Sequence, residues 1–89
     1  MRHAGAMALL GWLLLFSRDP RRPIEDWQQV GAYPTEYICA QGRTAEIDRD
    51  ALARIGQALA SQPADNPVRQ DAYQRAARTV RDRYRCVRE

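Results

Sequence analysis

Few residues in this chain could carry chemistry, and their spacing decides which kinds. Histidine occurs once, at His3, in a basic opening stretch Met1-Arg2-His3. Two cysteines, Cys39 and Cys86, lie far apart. They form neither a Cys-x-x-Cys redox pair nor a haem attachment motif, and without further ligands they hold no zinc. Ser17 and Ser61 have no histidine base near them in sequence. Glu46, Asp48 and Asp50 are close together, but they read as charges at the positive end of a helix, not as an acid–base pair. No glycine-rich phosphate loop is present. The chain is therefore expected to be non-catalytic, with no cofactor, no metal and no small-molecule substrate.

The cysteines instead predict a staple, and the elements around them say how it is held. Thr35 can cap a short helical turn over 36–41 that Gly42 ends. Thr44 can cap again and start a main helix to about Ser61, with Ile47, Ala51, Leu52, Ile55, Ala58 and Leu59 as its apolar stripe. Residues 62–67 form a turn in which Asn66 is the N-cap and Pro67 the first helical residue. A second helix follows to about Arg85, its stripe running through Val68, Ala72, Tyr73, Ala76, Val80, Tyr84 and Val87. Two helices joined by a short turn lie antiparallel. Cys39 and Cys86 then meet at the open end of the hairpin, with the acidic residues 46–50 facing the arginine-rich end. An alternative keeps the bond but makes Tyr84 to Val87 a short strand paired near Trp27.

The opening stretch Ala4 to Phe16 is apolar, follows a basic start, and has no small-x-small cleavage site after it. Residues 1–18 are therefore expected to be a retained single-pass signal-anchor helix. At ~1.5 Å per residue it is short for a hydrocarbon core of roughly 30 Å. A stripe of small residues, Ala4, Ala8 and Gly11, would let it pack closely on a partner helix. Arginines after the anchor argue for a cytoplasmic domain, while paired cysteines argue for an oxidising one. The expectation taken is N-terminus in the cytoplasm and a periplasmic domain. Residues 19–34 read as an extended linker or strap, with Pro20 and Pro23 preventing a continuous helix. Residues 35–89 read as the helical hairpin.

The expected fold is thus all-α: anchor, linker, disulfide-closed hairpin. All 14 basic residues are Arg, and net charge is +3. Arg78, Arg81 and Arg85 form a candidate docking face for an acidic protein, with Trp12, Trp27 and Tyr33 as further interface candidates. Interleaved Asp71, Asp82 and Glu89 argue against nucleic acid. The functional expectation is an accessory subunit that docks on and stabilises a larger bacterial inner-membrane complex, photosynthetic or respiratory rather than secretory. Its partners would be that complex and the bilayer. The alternative is a free-standing membrane-anchored envelope factor of immunity, exclusion or phage-lysis type, acting by transient binding.

Overall fold

The apolar run Trp12-Leu13-Leu14-Leu15-Phe16 is a strand, not part of a helix. The computed structural model describes residues 11–89. Element order is β1 (Trp12–Phe16), a 3-10 turn (Ile24–Asp26), β2 (Gln28–Tyr33), α1 (Glu36–Ile55), α2 (Gln57–Ala60), α3 (Pro67–Arg81) and β3 (Tyr84–Arg88). The strands form one antiparallel sheet in the order β2-β1-β3. This overturns the all-α expectation. A five-residue run of leucine and aromatics fits either period, and a strand flanked on both edges and shielded on both faces has no polar face to show alternation. The charged and proline-rich residues 18–23 end the run after Phe16.

The anchor falls with the helix. Among the described residues no helix is long and apolar enough to cross a membrane, so the single-pass inner-membrane topology is corrected. Ala4 and Ala8 lie outside the described residues. Gly11 is on no helix: it precedes β1 at φ 91°, and its carbonyl accepts the Glu89 N–H at 2.8 Å. The segments read as anchor, linker and hairpin each contribute one strand to the same sheet.

Alternation along β1 splits its side chains between two faces. Leu14 is fully buried against Cys39 and Tyr84, with Trp12, Phe16, Tyr33, Ile47 and Cys86 around them. Phe16 and Tyr84 are cross-strand partners with ring centroids 4.9 Å apart. This is the face that α1 covers. Leu13 and Leu15 point the other way. There Trp27 is buried, its Nε1–H donating to Arg22 O at 3.0 Å. The strap expected over 19–34 is thus partly a strand, and a bulge at Val30 shifts β2 by one residue between Leu14 and Leu15.

Helix α1 runs unbroken through Gly42 and Thr44, where a stop and a fresh start were expected. Thr35 does cap it, accepting from Ile38 N–H at 3.1 Å. Thr44 bonds back to Ala40 O instead of capping. Gly42 does not end the helix but makes room: a Cβ there would collide with the Tyr33 ring, and one at Gly31 would come within 2.9 Å of it. The helix stops at Gly56, at φ 89° and ψ 156°. Asn66 and Pro67 start α3 as the sequence indicates, the Asn66 side chain accepting from Val68 and Arg69 N–H. Contacts from Asp48 to Tyr73 and from Arg43 to Arg81 show that α1 and α3 run antiparallel. Helix α3 stops at Arg81, and Tyr84–Arg88 is a strand. Its partner is β1, because β2 occupies the opposite edge.

Candidate functional site

Cys39 and Cys86 are bonded, with Cα atoms 6.2 Å apart. The bond joins the first turns of α1 to β3. Arg43 lies one helical turn beyond Cys39, on the same side of α1. From there its guanidinium reaches the end of α3 and the edge of β3: Nε donates to Tyr84 O at 2.8 Å and Nη2 to Arg81 O at 2.6 Å. A cation at helix-terminal carbonyls is a favourable pairing. Burial lowers the Arg43 pKa from its usual value, and the charge of Arg81 pushes the same way; Asp82 opposes this and Arg85 adds to it. Around these groups is an open cleft of about 340 Å³ lined by Pro20, Arg43, Asp82, Tyr84, Arg85 and Cys86.

Arg85 leaves the strand on the opposite face and stacks over Trp27, 4.8 Å from the ring centroid. Arg88 lies 5.9 Å from the Trp12 ring centroid. Two expected interface aromatics thus serve as platforms that hold arginines. Tyr33, the third, is wedged between Gly31 and Gly42. Of the arginines expected to dock, Arg81 and Arg85 come together with Arg43, and Arg78 is an exposed residue of the last turns of α3.

The acidic cluster does not neutralise this end. Glu46 pairs with Arg49 and Asp50 with Arg54, both within α1. Asp48 accepts the Tyr73 hydroxyl at 2.7 Å, and Asp50 accepts the Tyr84 hydroxyl at 3.2 Å. Ion pairs among the described residues are made by Arg21, Arg22, Arg49, Arg54 and Arg75. Arg43 and Arg85 therefore line the cleft with Asp82 as its one acidic lining residue, and Arg81 lies close enough for its charge to act on Arg43. Arg43 was missed in sequence, although its spacing of four from Cys39 places it on the stapled side.

The groups that could do chemistry are engaged locally. Ser17 Oγ donates to Asp19 O at 2.8 Å, and Ser61 Oγ donates to Gln57 O at 2.8 Å. Burial pushes the Tyr84 hydroxyl up to about 12, and the charge of Asp50 adds to this. The Tyr73 hydroxyl is raised by its bond to Asp48. No group of three or more His, Cys, Asp or Glu residues that could hold a metal occurs among the described residues. Elsewhere, the Nε of Arg69 is buried with no hydrogen-bond partner among the described residues, but its recess also holds the Asp48 carboxylate. No family model, curated protein or solved structure matches the chain.

Proposed function

We propose that this chain is a non-catalytic accessory module that docks on a larger protein assembly and stabilises it. The observation that carries this reading is the pair Arg43 and Arg85 in one cleft at the rim of a strand that a disulfide ties to α1, with Arg81 close by at the end of α3. Guanidinium groups suit docking because their planar fork pairs with carboxylates in two parallel hydrogen bonds. Rigid placement lowers the ordering cost of binding. The test is the size of the native protein in a gentle extract of its source. Stoichiometric migration with a species far larger than the 10.2 kDa chain supports the proposal. Migration as a free chain under all gentle conditions refutes it and leaves the transient-factor alternative.

A further inference from the structure

Resting on that docking reading, we infer that the outer edge of β3 receives an acidic, extended segment of the partner, added to the sheet as a fourth strand. Backbone geometry comes first. Ser17 N–H donates to Arg83 O at 2.9 Å and Glu89 N–H donates to Gly11 O at 2.8 Å, one at each end of the β1–β3 ladder. Bonded and non-bonded pairs alternate in an antiparallel ladder. With Leu14 opposite Cys86, residues 83, 85, 87 and 89 bond toward β1. Tyr84, Cys86 and Arg88 therefore turn their N–H and C=O groups outward. One of these groups, Tyr84 O, is the acceptor for Arg43. The next are those of Cys86 and Arg88, a row of the kind that templates strand addition. The cleft lined by Pro20, Arg43, Tyr84 and Cys86 follows the same edge.

Charge then selects the occupant. Arg85 stands on one face of the sheet edge, stacked on Trp27, while Arg43 and Arg88 stand on the other. A strand laid alongside would alternate its side chains between those faces. Carboxylates on it would meet guanidiniums on both sides, a favourable cross-strand pairing. A second copy of the same edge would set arginine against arginine, so the charges reject self-pairing and admit an acidic strand. The disulfide holds Cys86 to α1 and keeps this edge in register before a partner arrives.

The probes are end-blocked nonapeptides in which adjacent Glu–Glu pairs, separated by two residues drawn from Val, Thr or Tyr, place carboxylates on both faces of the strand. At least one should bind the full chain, slow hydrogen exchange at the Cys86 and Arg88 amides, and weaken with added salt. The same peptide N-methylated at every residue keeps its charge and loses all its strand N–H donors; its affinity should fall at least tenfold. Arg43→Gln and Arg85→Gln should each weaken binding severalfold, with Arg75→Gln within twofold of wild type. If Arg43→Gln does not fold, the methylated peptide on the unaltered chain still decides. Equal binding of the methylated peptide, protection of other amides, or no binding by any probe overturns the inference. A dimer that protects the same amides also overturns it, because a second copy then occupies the edge. If the native chain migrates in a larger species but Cys86 and Arg88 exchange equally fast inside it, the edge inference alone fails. If the probes bind but no larger species is found, the docking reading alone fails.

Discussion

Gly42→Ala should change stability in opposite directions depending on residue 33. In an ordinary helix interior, Gly to Ala stabilises by roughly 1 kcal/mol. Here the new methyl meets the Tyr33 ring, which Gly31 already confines from the other side. Overpacking of this kind costs about 1–3 kcal/mol. The expected net effect in the native background is a loss of roughly 0–2 kcal/mol, from those two opposing magnitudes. In a Tyr33→Ala background the obstacle is gone, and Gly42→Ala should stabilise by about 1 kcal/mol. The coupling between the two positions is then about 1–3 kcal/mol, well above the additivity error for independent sites. Urea unfolding followed by circular dichroism measures all four proteins. A small domain has a slope near 1 kcal/mol/M, so each kcal/mol moves the midpoint by about 1 M. If Gly42→Ala stabilises equally in both backgrounds, the ring swings aside at no cost, and the close approach of β2 to α1 is not what sets this glycine.

Three further outcomes are expected. Replacing both cysteines by Ala frees a loop with a sequence separation of 47; chain entropy puts the loss at about 4 kcal/mol. That is a large share of the roughly 4–12 kcal/mol expected for a domain of this size, so a loss under 1 kcal/mol with an unchanged slope would contradict it. Tyr84 carries a folded pKa raised to about 12, so the protonated form is preferred in the fold. Its stabilising contribution is full below about pH 10 and is lost as pH rises through about 12. Tyrosinate absorbance should show a late step near pH 12 that is missing in Tyr84→Phe. Gly56→Ala should cost about 1–3 kcal/mol although nothing lies within 4 Å of the new methyl, because its φ and ψ are open essentially to glycine alone. A melting temperature equal to wild type would count against that.

Local signals were legible and long-range ones were not. Thr35 and the Asn66–Pro67 pair act within three residues of themselves, so their capping could be read directly. The Cys39–Cys86 bond was legible because the number and placement of cysteines allow one closure. The strand over 84–88 was visible only as an alternative, since Tyr84 continues the helical stripe of α3. β1 was misread because Trp12 to Phe16 shows no period. β2 was misread because Gly31 and the polar pair Gln28-Gln29 have little strand propensity of their own; pairing with β1 holds them extended. In the candidate site, Arg81 and Arg85 were legible from the arginine-rich end of the second helix, which was expected to face the acidic residues 46–50. Arg43 was not, because its role depends on carbonyls at Arg81 and Tyr84, about forty residues downstream.

The position of β1 between its two neighbours has a consequence for biosynthesis. Its partner on one side, β2, follows within twenty residues, but Leu14 finds Cys86 only 72 residues later (86 minus 14). At about 5–20 residues per second, that interval lasts roughly 4–14 s on the ribosome. For that time the most apolar strand of the sheet has one flank open, without the arginines that later shield the rim. Nascent chains must therefore be kept apart, by a chaperone or by low local concentration, until β3 closes the flank and the staple locks it.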